Sequence, residues 1–529
     1  MPDHEPTLAR TIATARSQTV GDLLRRSAQR YPDRTAIADS GRRLTYREFD
    51  AVVNRVSHAL LEQGIGKGTA VALLSRNSSQ YAVLTLALAK VGAMLVPVNF
   101  MLGAEEIAYI LRHCGARAFV VEHGLLEVAT AAVDNGEHRP ELLVRIGGGD
   151  GADDRWTAYE TWEAHADDSE PEVLVGDDDP IRLMYTSGTE SRPKGVLLSS
   201  KSLISQYVSA VVDGGMSGDD IEVHALPLYH CAQMDCFLLP DIYLGASSII
   251  LPGPDPATVL ATIERERATK FFAPPTVWIA LLQSPRFAST DLSSLTKGYY
   301  GASPMPVAVL EQIRTALPAL SLWNFYGQTE MSPVATILRP HEQFDRAGSA
   351  GRAALHVETL IVDDDDNPLP PGELGEIVHR SPHATLGYLD DEAKTAEAFR
   401  NGWFHSGDLG IMSEDGYLSV VDRKKDMIKT GGENVASREV EEALYTVAGV
   451  AEAAVFGTPH PTWIEAVTAV VVAQDGHDLT EQHIIDGLRP RLAGFKLPKR
   501  IVFVEELPKN PSGKILKREL RQRFSDSVG

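Results

Sequence analysis

Two hydrophobic periods alternate along the chain. Phe49, Val52, Val53, Val56 and Leu60 recur at helical spacing, and Thr45 with Glu48 three residues later marks where that helix should begin. Ala70 to Leu74 is an unbroken apolar run of strand length, as expected for a strand covered on both faces. A helix near Gln80 to Lys90, a strand from Met94 to Val98, a helix rich in Ile and Leu and a strand from Ala118 to Val121 follow. This alternation predicts a layered α/β body on a mainly parallel sheet. Residues 1 to about 18 read as a loose tail, and residues 147–180, first Gly-rich and then acidic, as a solvated excursion.

From Glu222 the pattern resumes with a strand running toward Leu226-Pro227-Leu228-Tyr229-His230, and alternation continues to Leu322-Trp323-Asn324-Phe325-Tyr326. Asp363-Asp364-Asp365-Asp366-Asn367-Pro368 lies between two apolar runs and carries turn signals, so it reads as a hairpin tip rather than a metal site. After Asp422 a compact α+β unit begins. It should hold helices near Arg438 to Tyr445 and Glu481 to Leu492, with strands at Ala451 to Phe456, Val467 to Val472 and Ile501 to Val504. Residues 422–434, charged and Gly-rich, read as a hinged linker. The fold class is α/β in an α+β composite: a large layered domain over residues 1–422 and a small one over residues 423–529.

Composition narrows the function. Lys and Arg number 50 against 72 Asp and Glu, a net charge of −22, which offers no basic field for nucleic acid or an anionic membrane. Any phosphate ligand has to be held by local positive groups. Cys114, Cys231 and Cys236 have no C-x-x-C spacing, so they read as reduced thiols. The polar start lacks an apolar signal core, and no apolar run approaches the ~20 residues of a membrane span. A cytoplasmic protein without an integral membrane segment is expected.

The chemistry centres on Thr186-Ser187-Gly188-Thr189-Glu190-Ser191-Arg192-Pro193-Lys194-Gly195, set between the apolar runs Ile181 to Tyr185 and Val196 to Leu198. Small residues let such a loop bring backbone N–H groups close to phosphate, and Lys194 adds positive charge. The stretch departs from the common nucleotide loop, in which Gly-Lys is followed by Ser or Thr. On its own it reads equally well as a phosphate cradle or a surface turn. Five further stretches join it: Tyr326-Gly327-Gln328-Thr329-Glu330, His405-Ser406-Gly407-Asp408-Leu409, Asp422-Arg423-Lys424-Lys425-Asp426, Pro511-Ser512-Gly513-Lys514 and Leu228-Tyr229-His230. They supply an aromatic face, a turn carboxylate able to accept from sugar hydroxyls, fixed positive charge, a terminal lysine and a strand end of the kind that borders ligands in open α/β sheets.

In this order, and over nearly the whole chain, these motifs resemble the ANL superfamily of adenylate-forming enzymes, which includes acyl-CoA synthetases. The resemblance implies the ANL adenylating-enzyme fold with a mobile C-terminal domain, and substrates ATP, a carboxylic acid and CoA, with Mg²⁺. It implies that Thr186, Ser187, Gly188, Thr189 and Lys194 hold the β- and γ-phosphates, that Thr329 meets the α-phosphate, and that Glu330 and Thr186 bind Mg²⁺. Tyr326 would stack on adenine, with Gly301-Ala302-Ser303, Asn324, Phe325 and Gly327 around the same slot. Asp408 and Arg423 would hold the ribose. Lys514 would act in the first half-reaction, Lys425 would mark the hinge, Gly431 and Gly432 would meet the pantetheine arm, and His230 would lie beside the acyl carboxylate. The family loop usually carries Thr-Gly where this chain has Glu190-Ser191. A carboxylate there would be repelled by triphosphate, so Glu190 is expected to point outward toward Arg192.

The apolar stretches Met234 to Leu239 and Pro274 to Ile279 match regions that line the acyl pocket in the family. They favour a medium- or long-chain fatty acid or an aromatic acid, while Asp235 has no evident partner and no arginine is apparent nearby. The expected activity is an AMP-forming acid–CoA ligase. Loading of a carrier-protein thiol stays open as the alternative, as does nucleotide binding without ligation, and a homodimer is an open option for assembly.

Overall fold

The helix Tyr46–Glu62 starts where its polar signals place it. Thr45 Oγ1 accepts from the backbone N–H of Glu48, and Glu48 Oε2 accepts from that of Thr45 at 2.8 Å. The computed structural model describes residues 8–148, 154–186, 193–301, 303, 305–430, 433–474, 476–509 and 515–524. Two large sheets carry the N-terminal domain. The first runs, in spatial order, 352–353, 336–338, 321–326, 297–301, 270–272, 221–224, 247–250, 35–38 and 43–45. Its six middle strands are parallel, and antiparallel strands close both edges. The second runs 387–388, 194–199, 180–186, 94–98, 70–74, 118–122, 142–146 and 157–158.

A helical layer separates the sheets. One core unites Val71, Leu73 and Leu95 from the second sheet with Ile37 and Ile250 from the first, through Leu23, Val53, Leu84 and Tyr207 on intervening helices. The helix Ser79–Val91 lies in this layer, and Gln80 alone among its residues escapes full burial. That explains its apolar composition on every face, since a helix walled by protein all round has no solvent side to keep polar. A four-stranded antiparallel sheet (358–362, 374–380, 404–412, 418–423) ends the large domain. Its first hairpin contains the acidic run as a turn, where Asp363 Oδ1 accepts from the N–H groups of Asp365 and Asn367.

The smaller C-terminal α+β domain forms around Ile464–Ala473, which pairs antiparallel with Val450–His460 and parallel with Arg500–Phe503. It has its own core, which includes Val440, Val455, Val471 and Leu488. Asp422, near the end of the last large-domain strand, accepts from the backbone N–H of Ser437 at 2.6 Å, at the first residue of the helix Ser437–Leu444. Arg438 Nη1 donates to the Val420 carbonyl beside it.

Several expectations need correction. Leu8–Ala15 is helical rather than a loose tail. Within 147–180, Thr157–Ala158 joins the second sheet and Trp156 and Trp162 are buried, so the excursion is partly structured. Residues 422–434 are not wholly linker, because Ile428–Thr430 and Glu433–Val435 pair as a hairpin. The helix expected to reach Leu492 ends at Leu488: Arg489 still has helical dihedrals (φ −51°, ψ −39°), but Pro490 after it has no backbone N–H with which to continue the ladder. No helix among the described residues is long and apolar enough to cross a membrane.

Candidate functional site

The strands Pro180–Thr186 and Lys194–Ser199 form an antiparallel hairpin whose last recorded pair is Thr186 with Lys194. The ladder therefore fixes the two ends of the loop, whichever path the loop itself takes. Ser187, Gly188, Thr189, Glu190 and Arg192 lie outside the described residues, as do Ala302, Gly431, Gly432 and Lys514.

Beside this hairpin lies the turn Thr329–Met331, which follows the strand Ser321–Tyr326. The Glu330 carbonyl accepts from Thr385 N at 2.8 Å, and Glu330 Oε1 accepts from the Tyr388 hydroxyl at 3.1 Å. Burial pushes the Glu330 carboxyl above its usual range; hydrogen bonds including that of Tyr388, and the charges of Arg423 and Lys194, oppose the shift. Lys194 Nζ lies 5.1 Å from the centre of the Tyr388 ring. A cation and a carboxylate are thus held around one aromatic side chain.

A second node gathers around Asp408. Its Oδ2 accepts from the Tyr326 hydroxyl at 2.7 Å, and its Oδ1 lies 3.3 Å from Arg423 Nε. Asp408 and Arg423 are direct cross-strand partners, so register alone sets them side by side. A carboxylate fixed between a phenol and a guanidinium can accept from hydroxyl groups of a ligand, which is the chemistry of ribose capture.

Gly301 and Gly327 serve the backbone. A Cβ on Gly301 would stand 2.5 Å from the Phe325 carbonyl, and one on Gly327 would stand 2.0 Å from that of Pro333. The strand alternation separates two other slot residues. Asn324 donates to the Ser349 carbonyl, whereas the Phe325 ring is stacked at 5.7 Å on Phe237 in the core. Phe325 therefore enters the structure as packing. Ser303 is exposed.

His230 caps the short helix Cys231–Gln233, its Nδ1 accepting from Ala232 N at 3.1 Å. Cys231 Sγ lies 3.4 Å from Thr329 Oγ1, which brings the His230 turn against the Thr329–Glu330 turn. Burial lifts the Cys231 thiol to about 12, so it remains protonated and inert as a nucleophile at neutral pH. Asn77 braces the approach to this turn, donating to the Leu226 carbonyl and accepting from Leu228 N. Lys425 is exposed as a whole residue at the domain junction, yet partial desolvation of its ammonium group and the Arg423 charge bring it down to about 8.

Two buried ionic groups escaped the sequence reading. Asp235, which the linear chain leaves without a partner, meets Arg182 Nη2 at 3.2 Å and the Tyr207 hydroxyl at 3.0 Å, with Arg182 and Asp235 both essentially inaccessible. An arginine does stand near the apolar stretch, but Asp235 neutralises it. That stretch is largely core: Phe237 stacks on Phe272 at 4.3 Å, and Trp278 meets Phe271 edge-on. Glu222, His224 and Asp241 also cluster with metal-like spacing. Lys270 is bonded to Asp241 and lies 2.8 Å from Glu222, so its ammonium already balances both carboxylates of the cluster. Glu330 offers a carboxylate oxygen of the kind a hard cation takes, with its other oxygen, Oε1, held by the Tyr388 hydroxyl.

Comparison with known proteins agrees with this geometry. Residues 24–389 match the model of the AMP-binding enzyme family and residues 439–514 that of the AMP-binding enzyme C-terminal domain. Feruloyl-CoA synthase of an Amycolatopsis species is 37% identical over 96% of this chain and 100% of its own length. Long-chain-fatty-acid–CoA ligase FadD13 of Mycobacterium tuberculosis is 35% identical over 97% of this chain and 99% of its own. Among solved structures, the anthranilate CoA ligase AuaEII bound to anthranoyl-AMP superposes with a TM-score of 0.89 at 28% identity, covering 97% of this chain and 98% of that one. The matched domains, the full-length relatives and the two nodes of the site make one conclusion: the chain belongs to the AMP-binding enzyme family of adenylate-forming (ANL) proteins.

Proposed function

We propose that the protein is an AMP-forming acid–CoA ligase acting on an aromatic or a medium- to long-chain fatty acid. The observation that carries this reading is the grouping of Tyr326, Asp408 and Arg423 in one node and of Lys194 and Glu330 around Tyr388 in a second. A ribose node that includes Tyr326 and a polyphosphate node that includes Glu330, four residues later, support a nucleoside triphosphate as the ligand. The relatives named above are CoA ligases for acids of both classes, which supports CoA as acceptor.

In the first half-reaction a carboxylate oxygen attacks the α-phosphorus, the bond to the β-phosphate breaks, and acyl-AMP and pyrophosphate result. In the second, a thiol attacks the acyl carbonyl and AMP departs with the electron pair of the broken acyl–phosphate bond. Two anions must meet in the first step, so positive charge has to be in place beforehand. Lys194, with the loop residues Thr186, Ser187, Gly188 and Thr189, holds the terminal phosphates; Asp408 and Arg423 orient the ribose; Tyr326 offers its face to adenine; Asn324 and Gly327 border that slot. Glu330 and Thr186 would hold Mg²⁺, which supplies charge neutralisation at the polyphosphate when bound. Thr329 faces the α-phosphate and His230 the acid. Lys514 enters from the C-terminal domain, taken as residues 423–529, for adenylation; the domain then turns at Lys425 so that Gly431 and Gly432 meet the pantetheine arm. A cytoplasmic enzyme fits this set of substrates.

A panel of carboxylic acids read by pyrophosphate release, with and without CoA, tests the proposal. Acid-dependent release with acyl-CoA formation is expected. Release with no acyl-CoA, but with loading of a holo-carrier protein, would replace the acceptor; no acid dependence would overturn the ligase reading.

A further inference from the structure

Tyr388 is absent from every assignment above, although it touches both halves of the polyphosphate node. It lies in the two-residue strand Gly387–Tyr388 at the edge of the second sheet, paired with Leu197 and Val196 on the same strand that begins with Lys194. Its placement is over-determined. Leu386 N and Leu389 N donate to the carbonyls of Leu197 and Gly195, and Tyr388 N donates to Thr395 Oγ1 at 3.0 Å. Thr385, three residues earlier, donates its N–H to the Glu330 carbonyl and its hydroxyl to that of Leu197. One short strap therefore binds the phosphate-loop hairpin to the Glu330 turn, with Tyr388 at the junction.

Lys194 Nζ sits 5.1 Å from the ring centre, and the hydroxyl donates to Glu330 Oε1 at 3.1 Å. No ion pair joins Lys194 to Glu330 among the described residues. This matters because the two groups have opposite duties in the proposed reaction. A direct salt bridge would take the ammonium from the phosphates and the carboxylate from the cation. An aromatic face attracts the ammonium more weakly than a carboxylate would and leaves its N–H groups free to turn toward phosphate. A phenol hydrogen bond, meanwhile, fixes one carboxylate oxygen and leaves the other available.

We propose that Tyr388 is a positioning residue that keeps Lys194 and Glu330 poised and apart, its ring setting the phosphate-binding lysine and its hydroxyl setting the metal-side carboxylate. The assignment rests on the ligase reading. It divides one side chain into two separable parts: Tyr388→Phe keeps the ring and removes the hydroxyl, whereas Tyr388→Leu removes both.

The full-length variants are compared in acid-dependent ATP–pyrophosphate exchange, in thioester formation from supplied acyl-AMP, and in equilibrium titration with ATP and Mg²⁺ without acid. Tyr388→Phe should lower kcat for exchange about tenfold while KM for ATP stays within about twofold, the pattern of a contact made mainly in the transition state. Tyr388→Leu should add a rise of about fivefold or more in both KM and the dissociation constant for ATP. Both should form thioester from acyl-AMP within about twofold of wild type, since no triphosphate takes part in that step. Equal loss of both half-reactions would reduce Tyr388 to a fold-maintaining role. Identical ATP affinity for wild type, Phe and Leu forms, or identical exchange, would also overturn the assignment. A wild type without acid-dependent exchange would sink the ligase reading instead, and the ATP titration would then decide Tyr388 by itself.

Discussion

The Tyr326 hydroxyl donates to Asp408 Oδ2 at 2.7 Å, tying the end of a parallel strand in the nine-stranded sheet to a strand of the four-stranded sheet 82 positions later. The bond holds the carboxylate in place on one side while Arg423 holds it on the other. Tyr326→Phe keeps the aromatic face and frees that oxygen. It should raise KM for ATP by about three- to tenfold, the worth of one hydrogen bond to a charged group or slightly less. Asp408→Ala should cost more, because it removes the acceptor and leaves Arg423 unpaired. Steady-state kinetics at saturating acid check both.

Arg182 and Asp235 form an ion pair with almost no solvent access. Removing one partner leaves a buried charge uncompensated, so Asp235→Ala should destabilise the protein by about 3–5 kcal/mol. The double replacement Arg182→Met/Asp235→Leu removes both charges and should recover most of that loss. Denaturant unfolding of the three proteins decides; a double variant as unstable as the single one would contradict the pairing.

His383 is buried, with Nδ1 2.9 Å from the Val334 carbonyl and Nε2 3.0 Å from Ser209 Oγ. Burial brings it down to about 4, and the neighbouring His356 works in the same direction. Its folded value lies below its unfolded one, so acid favours the unfolded chain. Its contribution is present above pH ~6.5 and is lost as pH falls toward ~4, by up to about 3 kcal/mol. His383→Gln should therefore flatten the decline in unfolding free energy between these pH values. An unchanged slope would refute the assignment.

Lys514 belongs to the C-terminal part of the chain and is proposed to act in adenylation alone. Lys514→Ala should reduce pyrophosphate release from acid and ATP by about a thousandfold while leaving thioester formation from supplied acyl-AMP within about threefold. Equal loss in both assays would contradict the division of labour between domain orientations.

The elements legible from sequence were those whose signals are local. Thr45 and Glu48 announce a helix, and Ala70 to Leu74 a buried strand, because capping and burial each leave a mark within a few residues. Asp408 and Arg423 were visible as motifs, although register rather than either motif sets their pairing. Asp235 found its partner 53 residues away, a relation created by packing and invisible to any window. Tyr388 was missed for the same reason, in a strand too short to show alternation. The Ile428–Val435 hairpin was mistaken for linker because charge and paired glycines suit a tight turn as well as a flexible joint.

Asp422 accepts the N–H of Ser437 at the start of a helix whose next side chain, Arg438, reaches back to Val420. The hairpin between them therefore forms a closed noose on the large domain, drawn shut by two bonds. Any reorientation of the helix Ser437–Leu444 away from Asp422 has to open this clasp first. Arg438 closes this clasp from outside the nucleotide site, so the ease of such a swing can be tuned there without replacing a group that meets ATP, whereas Asp422 also accepts the N–H of Arg423 and couples the clasp to the ribose node.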